Sequence, residues 1–118
     1  MSKISELPIY KLTYDVLLQI MHITHHFPRE YKYTLGEKIQ VEIIELMVCI
    51  YRIYTQKYEE MFYKLNEHAE ILFLYLRISH DMKLLSLEKY GEIIEKINNV
   101  LKQAKGWQYA IHNKAGTE

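Results

Sequence analysis

His22, His25 and His26 stand three and four residues apart, a spacing that on a helix brings two imidazoles within reach of one metal ion. Such a site needs a third ligand, usually a carboxylate. No H-E-x-x-H or E-x-x-H pair faces these histidines, and Glu67 and His68 are adjacent and point apart. Histidines beside a helix C-terminus are more often solvated or paired with the helix dipole, so no metal and no cofactor is expected. Cys49 is the single cysteine, which excludes an intrachain disulfide. Its place in the apolar run I-I-E-L-M-V-C-I-Y reads as packing rather than as a nucleophile. No Ser-His-Asp or Cys-His arrangement and no glycine-rich phosphate loop is found, Gly36 standing alone after Leu35. Glu42 with Glu45, and Glu92 with Glu95, have the spacing of a solvated helix face. The chain is not expected to be an enzyme.

Aromatic and cationic residues offer a different chemistry. Eleven tyrosines are many for 118 residues. Interleaved with Lys and Arg they can stack bases while the cations hold phosphates; equally, tyrosine is a residue of protein interfaces. Interface packing is preferred for the helical tyrosines. For Tyr31 and Tyr33, beside Arg29 and Lys32 in the stretch F-P-R-E-Y-K-Y-T-L-G-E-K, the two readings stand level. Fifteen Lys and Arg balance fifteen Asp and Glu, and the balance holds in each half of the chain. The last stretch is less even: Lys96, Lys102, Lys105 and Lys114 meet no acid before Glu118. They form either a basic patch or, on the preferred reading, counter-charges to the dipole of a helix C-terminus.

The elements that must position these groups are helices. With 49% hydrophobic and 25% charged residues, 1–118 reads as one globular domain. Four glycines and two prolines are too few for a turn-rich β domain. The start, M-S-K-I-S-E-L-P-I-Y, lacks a signal-peptide core, and no apolar run approaches the roughly 20 residues that span a bilayer, so a cytoplasmic protein without membrane association is expected. Apolar residues recur in steps of three and four along Ile9, Leu12, Val16, Ile20, Ile23 and Phe27, and Pro28 stops that helix. Thr34 and Glu37 read as a capping box before the seam Ile39, Ile43, Leu46, Ile50, Ile53. A third seam runs through Phe62, Leu65, Ala69, Leu72, Leu76 and Ser79. Ser86 reads as the N-cap of the fourth, through Leu87, Tyr90, Ile94, Ile97, Leu101 and Ala104, with Gly106 as its C′ stop. Helices over about 8–26, 35–56, 60–82 and 87–105, joined by short connections, predict an all-α, antiparallel up-down four-helix bundle.

Apolar side chains also lie off these seams: Val41, Ile44, Val48 and Tyr51, then Ile71, Phe73, Leu74, Tyr75 and Ile78. A helix apolar over most of its circumference is buried over most of it, which predicts oligomerisation through the second and third of these helices.

L-P-I-Y-K-L-T-Y-D-V-L-L-Q-I, the F-P-R-E-Y-K-Y-T-L-G-E-K stretch continuing into Q-V-E-I-I-E-L-M-V-C-I-Y-R, L-L-S-L-E-K-Y-G-E-I-I-E-K-I and the late G-W together resemble the accessory variability determinant (Avd) proteins of diversity-generating retroelements. The resemblance covers roughly Leu7 to Trp107. It implies a four-helix bundle assembled into a ring-like homopentamer that binds a reverse transcriptase and nucleic acid, supports mutagenic retrohoming and is not itself an enzyme. A sister branch, encoded in intervening sequences of ribosomal-RNA genes, carries an S-I-P-x-N-I-A-E-G-like stretch; the corresponding helix here reads V-E-I-I-E-L-M-V-C-I-Y-R. The resemblance and the charge pattern mark Arg29, Tyr31, Lys32, Tyr33, Lys38, Arg52 and Arg77 as candidate RNA, DNA or partner-binding residues. Relatives of this kind are basic and this chain carries a formal charge of zero, so the alternative expectation is a structural oligomeric module that binds proteins without direct nucleic-acid contact.

Overall fold

The computed structural model describes residues 2–56 and 59–117. Among the described residues there is no strand. After a 3₁₀ turn at Ser2–Glu6 come α1 (Pro8–His25), the single turn α2 (Arg29–Lys32), α3 (Leu35–Gln56), α4 (Met61–Asp81) and α5 (Leu87–Thr117). The four long helices close a square, α1 on α3, α3 on α4, α4 on α5 and α5 on α1. Cross-helix bonds fix their direction. Lys96 Nζ donates to Asp15 Oδ2 at 3.1 Å while Gln19 Nε2 donates to Glu92 Oε1 at 2.9 Å, so α1 and α5 run oppositely. With short links at the remaining corners, the chain is an all-α, up-down four-helix bundle. None of the described helices is long and apolar enough to cross a membrane.

α3 and α4 bury the seams their periodicity marks, Ile39 through Ile53 facing Phe62 through Ser79. α1 differs in detail: Thr13 and Thr24 are buried where apolar spacing placed Leu12 and Ile23, which flank the core half-buried. Threonine can stand there because each hydroxyl donates back to a carbonyl four residues earlier, Thr13 to Ile9 at 2.7 Å and Thr24 to Ile20 at 2.8 Å, leaving its methyl to the core. In α5 the expected Ile97 and Ala104 are buried, but Ile93 and Val100 take the core positions expected of Ile94 and Leu101, which with Tyr90 pack on the flank, and Leu87 is 70% exposed.

Two local signals are corrected. Gly106 does not end the last helix near residue 105, because α5 continues to Thr117 and Gly106 has no positive φ. Trp107 and Ile111 pack against the core beyond it, Trp107 edge-on to Phe62 at 5.7 Å, which outweighs the helix cost of a glycine, about 1 kcal/mol. The Thr34–Glu37 capping box is not formed either. Residues just before Thr34 already wind helically, so its hydroxyl donates to Glu30 O at 2.9 Å instead. Ser86 does cap α5, its Oγ accepting the Lys89 N–H at 3.1 Å.

Candidate partner and nucleic-acid interface

The connection between α1 and α3 closes one end of the bundle. Pro28, at φ −54° and ψ 149°, turns the chain out of α1 and leads into α2. That turn lies directly on the start of α3: a Cβ on Gly36 would meet Tyr31 O at 3.3 Å and Phe27 Cδ2 at 3.6 Å. Glycine there lets the two backbones approach. Tyr31 consequently packs half-buried against the core, whereas Tyr33 is 60% exposed with Lys32 Nζ 5.8 Å from its ring centroid. Tyr31 is an anchor; Tyr33 is an open aromatic face beside a cation.

Arg29 and Lys38 are exposed at the same end, and neither forms a salt bridge among the described residues. Arg77, late in α4, reaches that end too, but its Nε pairs with Asp81 Oδ2 at 3.3 Å, an exposed contact that solvent screens. Arg52 does not join them. At 1.5 Å per residue it lies roughly 21 Å from Lys38 along α3, toward the opposite end. The structure thus brings together Arg29, Tyr31, Lys32, Tyr33 and Lys38, sets Arg77 at their end, and separates Arg52.

The other candidate groups are occupied locally. His26 Nδ1 donates to His22 O at 2.9 Å, and its ring lies 4.8 Å from that of His22 and 5.3 Å from that of His25. Among the described residues, no group of three or more His, Cys, Asp or Glu side chains could hold a metal ion. Cys49 is buried, and burial first, then the Glu45 charge, push its thiol up to about 11. His68 is held between two carboxylates of α3, Nδ1 at 2.6 Å from Glu42 Oε1 and Nε2 at 3.9 Å from Glu45 Oε2. This polar tie joins residues far apart in the chain, and no short-range spacing announces it.

Two apolar faces remain outside the core. On α3, Val41, Ile44 and Tyr51 are exposed and Val48 half-buried, at the three-and-four spacing of a single stripe. The bond from Gln40 Nε2 to Thr24 Oγ1, 2.8 Å, sets the register that places Tyr14 and Leu18 of α1, both exposed, alongside this stripe. On α4, Ile71, Leu74 and Ile78 make a second stripe that Met82 extends. Phe73 and Tyr75, expected on an outer face, instead pack against the core. Of the eleven tyrosines, Tyr58 lies outside the described residues, as do Glu118 and the side chain of Lys114; none of the other tyrosines is buried.

A family model described as bAvd-like matches residues 7–111, nearly the whole bundle. No curated protein matches the chain.

Proposed function

Because the chain belongs to the bAvd-like family, we propose that it is a non-catalytic accessory subunit of a diversity-generating retroelement. Five copies form a ring that docks the reverse transcriptase and holds RNA or DNA during mutagenic retrohoming. The observation that carries this reading, beside the family, is the pair of apolar faces on α1–α3 and α4. A lone bundle would leave them in water, and a ring of copies covers them. Arg29, Lys32 and Lys38 with Tyr33 then present cations and an aromatic ring at one rim, where they dock the polymerase; Arg77 adds to that rim and Arg52 serves the opposite one. The expected consequence is that R29A/K32A lowers capture of the reverse transcriptase at least about tenfold, as loss of docking charges does, with the helical signal unchanged. Undiminished capture would remove the rim from the reading.

A second reading, a structural interaction module with no nucleic-acid contact, is favoured by the formal charge of zero. Titrating the assembled protein with a structured RNA at rising salt separates the two. Phosphate contacts weaken as salt rises, so salt-sensitive binding supports the first reading and no binding supports the second.

A further inference from the structure

Lys102 and Lys105 lose their simplest explanation in this fold. As counter-charges to a helix terminus near residue 105 they would need no ligand. α5, however, runs on to Thr117, which leaves both lysines mid-helix, where the end dipole has faded. Their neighbour Lys96 is engaged, with Asp15 at 3.1 Å, Gln19 at 3.0 Å and Glu92 at 3.6 Å. Neither Lys102 nor Lys105 has an acidic partner among the described residues.

Both lysines border a groove of about 420 Å³ between α4 and α5. Three amide side chains, Asn66, Asn98 and Gln108, line it with them over an apolar floor that includes Phe62 and Leu101. Asn66 Nδ2 donates to Phe62 O at 2.9 Å, which leaves its Oδ1 as an acceptor. Two of the most exposed aromatic rings of the chain stand a turn away: Tyr63, 75% exposed, three residues before Asn66, and Tyr109, 69% exposed, four residues after Lys105.

We propose that this groove is a track for single-stranded nucleic acid, resting on the reading above that the assembled protein holds RNA or DNA, and distinct from the rim of Arg29 and Lys32. Lys102 and Lys105 hold neighbouring phosphates, the amides meet base edges, and Tyr63 and Tyr109 offer stacking faces. This combination fits a nucleic acid better than an acidic peptide, which has no use for exposed rings beside amides. It fits a single strand because stacking on a side chain requires unstacked bases, which a duplex does not offer. It also answers the neutral net charge, since the cations that matter are those whose charge no acid cancels locally.

The test is binding of a fluorescently labelled oligouridine strand to the full-length protein and to K102Q/K105Q, across a range of salt. Matched circular dichroism and light-scattering mass exclude misfolding. With two lysine–phosphate pairings to a single strand removed, the slope of log affinity against log salt should become shallower by about 1.4. Y63A/Y109A should weaken binding while leaving that slope unchanged, because stacking releases no counterions. Wild-type protein that binds the strand, with K102Q/K105Q binding equally well at the same slope, would overturn the groove and leave the nucleic-acid reading standing. Wild-type protein that ignores the strand at every salt concentration would overturn that reading and the groove with it. A double variant that keeps the strand but loses capture of the reverse transcriptase would reassign the groove to a protein partner and overturn the proposal.

Discussion

Cys49 is a case where one residue's environment decides its chemistry. Its side chain lies among α3 core residues, and an ionised sulfur there would lack water, so the proton is held to about 11 against an ordinary 9.0. The sign of the linkage follows from the raised value. The neutral thiol's contribution to stability is complete below pH 9.0 and is lost as pH rises through about 11, because the unfolded chain ionises first. Alkylation with iodoacetamide near neutral pH should therefore be far slower in the native protein than in denaturant; equal rates in the two would show that the thiol is not enclosed. The burial of Cys49 was legible from the apolar run around it. The Glu42–His68–Glu45 tie was not, because its members meet only after α3 and α4 have packed.

At the scale of elements, what could be read depended on how many faces of each helix were apolar in alternation with polar ones. The core seams of α3 and α4 were legible because Ile39, Ile43, Leu46, Ile50, Ile53 and Phe62, Leu65, Ala69, Leu72, Leu76 recur in steps of three and four along the whole helix, whereas the second apolar register through Ile44 and Leu74 is shorter. In α5 the pairs Ile93–Ile94 and Val100–Leu101 support two seams that share Ile97 and Ala104, and a rotation of only about 50° separates them. The choice is made by packing against α1 and α4, which the α5 sequence alone does not contain. The end of α5 is obscured for a related reason: a glycine signals a terminus only when nothing beyond it packs, and Trp107 packs. Substitution separates the two roles of Gly106. An added Cβ there meets nothing within 4 Å, so Gly106→Ala should stabilise the fold by about 1 kcal/mol, whereas a left-handed terminal position would make alanine costly. The real left-handed terminus is Lys83, at φ 64°, where α4 closes with Lys83 N donating to His80 O and Leu84 N to Ser79 O, both at 2.9 Å. Lys83→Gly relieves that strain and should also stabilise by about 1 kcal/mol. Urea midpoints read both changes, and a destabilised Gly106→Ala would mean that α5 ends where its glycine suggests.

The whole molecule carries its two apolar faces on different elements, and that asymmetry constrains how copies can meet. A closed ring is heterologous: the α1–α3 face of one copy must receive the α4 face of the next, rather than each face meeting its own twin. Sequence periodicity revealed the α3 and α4 stripes, but not the share of α1. Tyr14 and Leu18 are off a single seam and become part of a face only when α3 lies beside them. If copies assemble as the ring proposed above, a charge on either stripe breaks it. Ile44→Glu spoils one face and Leu74→Glu the other, and each variant alone should then fall from the proposed five times 14.3 kDa to a single chain by light scattering. Mixing decides the geometry. The Ile44→Glu chain retains an intact α4 face and the Leu74→Glu chain an intact α1–α3 face, so together they can form one interface and no more, a particle of twice 14.3 kDa. If the α1–α3 face instead paired with its own twin, Leu74→Glu alone would keep that pairing and remain a dimer without its partner variant. Such a dimer would replace the ring with a two-fold assembly in which one face of each chain is spent on its own twin.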